Sequence, residues 1–194
     1  MIWETGGLIL AAYLAGSVNF SIIIFKILGR DDPRKGFSGN PGTSNVYRQA
    51  GVFWAVAVLL LDIGRAMGIA CAALIFLKID FVPWVGLTLI VGNRFPCFHG
   101  FQGGKGVANY LGFTVVITPL LAGLSALAWV VVYGIGRKSF IASFCMILVL
   151  ASGTIVAIQE STLAILGVVL TSLFIFYNHK PNIVNMLQSK ADLI

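Results

Sequence analysis

Apolar residues fall in long uninterrupted runs along the chain, separated by short polar breaks. The runs cover residues 6–28, 52–77, 81–92, 107–117, 120–135, 140–158 and 161–177. None alternates with the period of two that a barrel strand needs, and only helices or closed barrels satisfy their backbone inside lipid. The pattern predicts an all-α, polytopic integral membrane protein with seven helical segments. Crossing a bilayer takes roughly 20 apolar residues. The runs 81–92 and 107–117 are shorter and flank a glycine-rich stretch, so they are tilted crossings or a hairpin that enters and leaves on one side. Either arrangement leaves the sidedness of the following segments unchanged.

Composition supports this reading. The chain is 58% hydrophobic and 10% charged, with a mean hydropathy of +0.95. A soluble domain carries about a quarter charged residues, and a disordered chain is far more polar. The length of 194 residues fits one unit, taken as a single domain over 1–194. Thirteen Lys and Arg against seven Asp and Glu give +6. These charges sit in the breaks between apolar runs, as in membrane proteins, so no nucleic-acid partner is expected. Cys71, Cys97 and Cys145 form neither a disulfide framework nor a metal-ligand spacing.

The opening residues Met1 to Glu4 lack a basic n-region. The first run is therefore read as an uncleaved span with its N-terminus outside. In that orientation Lys26, Arg30, Arg34, Lys35, Arg48, Arg94, Lys105, Arg137, Lys138, Lys180 and Lys190 are cytoplasmic. Lys78 alone is outside, and Arg65 is within the membrane. Eleven to one is a strong positive-inside bias. Glu4, Asp80 and Glu160 fall outside, and the C-terminus is cytoplasmic.

This orientation gathers three polar stretches on the cytoplasmic face: 37–48, 92–106 and 178–183, with the loop 136–139 leading to Ser143. Glycine-rich backbone exposes N–H groups that can converge on an anion. Ser and Thr hydroxyls and Asn amides add neutral donors. Lys105 and Arg48 add positive charge, and an arginine can grip two phosphate oxygens. The 107–117 run starts just after Gly106, so the loop feeds a helix N-terminus. Carboxylates in the inner loops are confined to Asp31 and Asp32 before the C-terminal Asp192. The site reads as a phosphate site with no metal and no cofactor. It is not a Walker loop: His99 stands where the first glycine belongs, and no Ser or Thr follows Lys105. His99, between Phe98 and Gly100, reads as structural. His179, beside Asn178, Lys180 and Asn182, fits a ligand contact and a structural role equally. Asp62 and Arg65, three apart on one helix, read as a mutually neutralising pair.

Three groups of residues carry a resemblance: Ser38-Gly39-Asn40, Gly42 and Ser44-Asn45 with Arg48; Phe95-Pro96 with Gly103-Gly104-Lys105-Gly106-Val107; and His179 with Asn182-Ile183. They resemble the three motifs of the bacterial acyl-phosphate-dependent glycerol-3-phosphate acyltransferases, the PlsY family. Gly16-Ser17 and the Asp62–Arg65 pair are similar to family positions too. The chain differs by Asn93 where the family usually has His, Gln102 where Lys is common, and Ser44 where Thr is usual. The resemblance implies a monomeric, multi-pass enzyme of the bacterial inner membrane with a cytoplasmic active site. It implies acyl transfer from acyl phosphate to the 1-hydroxyl of glycerol 3-phosphate, giving lysophosphatidic acid and phosphate for phospholipid synthesis. The catalytic residues it implies are Lys105, Arg48, Ser38, Asn40, Ser143 and His179. Those holding substrate phosphate are Lys105, Arg48, Ser44, Gly103, Gly104 and Asn182. Two other readings share the cationic site: a transporter or binding protein for a phosphorylated solute, and a copy of the acyltransferase without turnover. Transport also needs access from the outer face, where the connections are short and nearly free of cations.

Overall fold

The computed structural model describes residues 2–158 and 161–191 of the chain; Glu160 and Asp192 lie outside them. Ten helices carry the described residues. They are α1 (Ile2–Ser17), α2 (Phe20–Ile27), α3 (Thr43–Ala50), α4 (Val52–Phe76), α5 (Val82–Arg94), α6 (Val107–Ile117), α7 (Pro119–Gly136), α8 (Ser139–Ala157), α9 (Thr162–Asn178) and α10 (Lys180–Ala191). Four stretches are long and apolar enough to cross a membrane, or six if each of two bent helix pairs counts as one span. α6, at 11 residues, is too short to cross alone.

The first apolar run corrects the expectation of one continuous helix. It breaks between α1 and α2, which meet at 40°. Asn19 starts the second piece: its Oδ1 accepts the Ile22 N–H at 3.1 Å, a side-chain N-cap. Two polar stretches read as loops also fold into helices. Residues 43–50 wind into α3, bracketed by Gly42 and by Gly51 at φ 85°. Residues 180–191 form α10.

Close packing sets the spacing of α1 and α5. A Cβ at Gly16 would stand 2.1 Å from the Leu89 carbonyl oxygen, and one at Gly92 would stand 2.3 Å from that of Tyr13. The two backbones approach through paired glycines, the way helices associate where lipid supplies no hydrophobic drive. Around this seam Ala12, Ala66, Ala70, Val85, Leu89 and Phe113 join α1, α4, α5 and α6. A second cluster, including Ile90, Tyr110, Ile147, Leu150 and Ile175, joins α5, α6, α8 and α9.

A buried polar network crosses the first cluster. Arg65 on α4 pairs with Asp62 at 2.9 Å and donates to Asn109 Oδ1 on α6 at 2.5 Å. It also donates to the Val18 carbonyl at the break between α1 and α2. The Asp62–Arg65 pair is therefore more than mutual neutralisation, because one guanidinium closes the broken helix and ties it to α4 and α6. Removing one partner of a buried pair strands the other charge at a cost of about 3–5 kcal/mol. Arg65→Leu is expected to lower unfolding stability in mild detergent by about that much, and Asp62→Leu/Arg65→Leu to recover part of the loss. Equal stability of Arg65→Leu and the parent in denaturant melts would contradict this.

Candidate active site

The loops between helices meet at one end of the bundle. Arg34 staples two of them: it bridges Asp32 at 2.6 Å and donates through Nη1 to the carbonyls of His99 (2.7 Å) and Gln102 (3.0 Å). Asn45 and Gln49 of α3 hold the turn that follows Asp32. Asn45 Nδ2 donates to the Pro33 and Gly36 carbonyls, and Gln49 Nε2 also donates to that of Pro33. His99 is structural as expected, its Nε2 accepting the Asn19 N–H at 3.3 Å.

These contacts enclose a cavity of ≈ 360 Å³. Ser38, Asn40, Ser44 and Arg48 line it from the first polar stretch. Gly104 and Lys105 line it from the second, Ser143 from α8, and His179 and Asn182 from the third. Residues from four separate parts of the sequence thus face one space. Among the described residues, the side chains of Ser38, Asn40, Ser44 and Arg48 form no hydrogen bond or ion pair and remain available to a ligand.

Gly103 departs from the expectation. It does not line the cavity, and its N–H donates to the Arg94 carbonyl at 3.1 Å. A Cβ there would lie 2.0 Å from the Asn93 carbonyl oxygen, so this glycine lets the loop fold back over the end of α5. The Gly104 N–H is likewise engaged, with the Asn93 carbonyl at 2.9 Å. The backbone donors left for an anion are those of the first turn of α6, which have no intrahelical partners and begin at the cavity wall with Val107, Ala108 and Asn109. The starts of α3 and α8 reach the same wall through Thr43 and Ser139. None of these three N-termini has a side-chain cap.

Lys105 is the electrostatic centre. Its ammonium donates to Asn182 Oδ1, which aims it. Burial, then the positive charges of Arg94 and Arg48, pushes its pKa down from 10.5 to about 8. Asp62 is the one acidic side chain on the wall among the described residues, and it is already paired with Arg65. The cations therefore lack a counter-charge that an anionic ligand would supply. His179, just beyond α9, is bound at Nδ1 to the Ile175 carbonyl at 2.8 Å. That bond places the ring proton on Nδ1 and leaves Nε2 as an acceptor. Burial comes first and the Lys105 charge adds to it, against that hydrogen bond, in lowering the His179 pKa to about 4. The ring stays neutral. Ser143 Oγ donates to the Ser139 carbonyl (2.8 Å) and accepts the Trp129 indole N–H (3.2 Å). Its hydroxyl proton is committed, so it positions Trp129 on the cavity wall.

Apolar side chains complete the cavity wall: Leu59, Leu111, Ala126, Val130 and Met146, beside Trp129. One space thus joins cations and hydroxyls to a surface suited to an alkyl chain. The family described as glycerol-3-phosphate acyltransferase matches residues 7–189. The chain belongs to the glycerol-3-phosphate acyltransferase family. The glycerol-3-phosphate acyltransferase of Methylobacillus flagellatus is 37% identical over 180 residues, covering 92% of this chain and 91% of the relative. That of Pseudomonas paraeruginosa is 32% identical over 94% of each chain. The crystal structure of PlsY (YgiH), an integral membrane glycerol 3-phosphate acyltransferase, in its glycerol 3-phosphate form superposes with a TM-score of 0.88 at 30% identity, covering 95% of this chain and 92% of that one. This family member is accordingly a multi-pass integral membrane acyltransferase.

Sequence reasoning missed Trp129, Asn109 and Met146 on the acyltransferase cavity wall. Trp129 and Met146 are hidden inside apolar runs. Asn109 carried a signal, a polar residue in the first turn after a glycine loop.

The Lys105 environment generates a pH prediction. The ammonium is present below about pH 8 and lost as pH rises through that value. Affinity for inorganic phosphate is expected to fall above pH 8 by up to about tenfold per pH unit, the limit for one proton. Lys105→Arg, which stays charged, should bind with no such fall. Calorimetric titration from pH 7 to pH 9 reads both; a flat parent profile would count against Lys105 as the phosphate ligand.

Proposed function

We propose that this chain transfers an acyl group from acyl phosphate to the 1-hydroxyl of glycerol 3-phosphate, releasing lysophosphatidic acid and inorganic phosphate. The observation that carries the reading is the mixed lining of the cavity. Both substrates are phosphorylated and one is an amphiphile; the cavity wall offers both cations with open helix N-termini and apolar helix surface. The PlsY relatives crystallised in glycerol 3-phosphate and lysophosphatidic acid forms add support, being 30% identical to this chain.

Acyl phosphate is an activated mixed anhydride, so positioning and charge stabilisation supply most of the catalysis. Lys105, aimed by Asn182, and the first turn of α6 hold phosphate oxygens. Arg48 and Ser44 hold others across the cavity, and Ser38 and Asn40 orient the reacting groups. Gly104 contributes space for the ligand on the loop wall. The 1-hydroxyl oxygen attacks the acyl carbon, and the bond from that carbon to the phosphate oxygen breaks. His179 is too weak a base to keep the proton, so Nε2 accepts a hydrogen bond from the attacking hydroxyl and fixes its direction. The proton goes to the departing phosphate, a stronger base than this imidazole. The reaction calls for no metal or cofactor.

The same reading assigns one domain over 1–194, acting as a monomer in the bacterial inner membrane. On this reading the seven apolar segments run with the N-terminus outside, the C-terminus inside and the cavity facing the cytoplasm. The eleven-to-one distribution of basic residues supports this orientation.

Replacing Lys105 by Met keeps much of the stem and removes the charge. Losing a donor at a developing charge costs on the order of a hundredfold or more. Lys105→Met is therefore expected to lower phosphate release from acyl phosphate and glycerol 3-phosphate by at least about a hundredfold. Full activity of this variant would remove the site assignment.

Orientation has its own test. Cysteines replacing Arg137 and Lys78, in a background without the native cysteines, report opposite faces. An impermeant maleimide on intact cells should label Lys78→Cys and leave Arg137→Cys untouched until the cells are opened. The reverse pattern would invert the topology.

A further inference from the structure

The loop between α5 and α6 packs beside the break between α1 and α2. Two contacts fix the loop's level. The Cys97 N–H donates to Ser17 Oγ at 3.3 Å, and His99 Nε2 accepts the Asn19 N–H at 3.3 Å. Residues 97–99 therefore lie level with the break between α1 and α2. Past that level α2 continues for eight residues, about 9 Å along the α1 axis once the 40° bend is allowed for. Lys26, in the last turn of α2, marks the headgroup region. A side chain exposed beside residues 97–99 thus meets lipid.

Phe98 and Phe101 are both 59% exposed on this loop, and Phe37 is 74% exposed on the loop stapled to it by Arg34. Phe101 at φ 58° and Phe37 at φ 49° occupy the left-handed region, a rare and costly conformation for a bulky residue. The surroundings enforce it. The Phe101 N–H donates to the Pro96 carbonyl at 3.0 Å, and Arg34 grips the carbonyls of His99 and Gln102 on either side. None of the three rings lines the cavity. Lys26 on α2 and Lys35, two residues before Phe37, are also exposed. Exposed aromatic rings at acyl-chain depth, with lysines at headgroup depth, match the two layers of an anionic leaflet.

We infer that Phe98 and Phe101, with Phe37 nearer the headgroups, form a lipid-contact patch that anchors the α5–α6 loop in the leaflet on the cavity side. Its occupant is the anionic lipid leaflet. By holding this loop within the leaflet, the patch sets Lys105 at the depth where an amphiphile carries its phosphate. This inference goes beyond the catalytic reading and stands whether or not that reading holds.

Spin labels test it. Phe98→Cys and Phe101→Cys are made separately in a background with Cys71, Cys97 and Cys145 replaced by Ala. Each is labelled with a nitroxide and reconstituted in vesicles of zwitterionic and anionic lipid. Leu60→Cys, on an exposed position of α4, is the lipid-facing control. Collision with oxygen should exceed collision with a water-soluble nickel complex several-fold at both loop positions, as at the control. Greater access to nickel would overturn the inference by placing the loop in water. Protection from both reagents would overturn it by showing a protein surface over the patch, whether a second copy or another partner.

Discussion

A helix broken inside a membrane leaves carbonyl groups that only the protein can satisfy, and the whole site depends on how this chain satisfies them. Arg65 donates to the carbonyl of Val18 at the break. The same guanidinium holds Asn109 in the first turn of α6 and is neutralised by Asp62. Three elements are thereby fixed around one charged group. The break lets the α5–α6 loop tuck against Ser17 and Asn19, and the loop delivers Lys105 to the start of α6. Irregular backbone at membrane depth is tolerated where protein satisfies it, as Arg65 does for the Val18 carbonyl here.

From this follows the electrostatic character of the cavity. Lys105 and Arg48 face a space whose one carboxylate among the described residues, Asp62, is paired with Arg65. Burial and the positive charges of Arg94 and Arg48 weaken the hold of Lys105 on its proton, and the negative charge of a bound phosphate offsets them. Asn182 keeps the ammonium pointed in the meantime. Burial, with the Lys105 charge adding to it, keeps His179 neutral, which favours an orienting role over proton storage.

Much of the architecture was legible in the sequence because apolar runs of this length have one use. The run 52–77 became Val52–Phe76, and 140–158 became Ser139–Ala157. The break at Val18–Asn19 was masked by the hydrophobic average around it, although Asn19 carried a capping signal. α3 was missed because only Val46 and a few neighbours of this polar helix face the core; its anchors, Asn45 and Gln49, bind a turn that sequence patterning does not place. Ser38, Asn40, Ser44, Arg48, Lys105, His179 and Asn182 could be picked out because loop chemistry is visible locally, and the fold brings them to one cavity. Gly103 misled, since a glycine that clears a carbonyl ten positions earlier looks the same as one that cradles phosphate. The Arg65 partners Val18 and Asn109 lie 47 and 44 residues away, and only the fold brings them together.

The proposed role of the cavity is acyl transfer with acyl phosphate as the donor. Purified protein in a lipid bilayer, supplied with glycerol 3-phosphate and one donor at a time, tests it directly. With acyl phosphate, phosphate and lysophosphatidic acid should form in equal amounts without added metal; with acyl-CoA, neither should form. Turnover with acyl-CoA, or phosphate released without lysophosphatidic acid, would contradict the account.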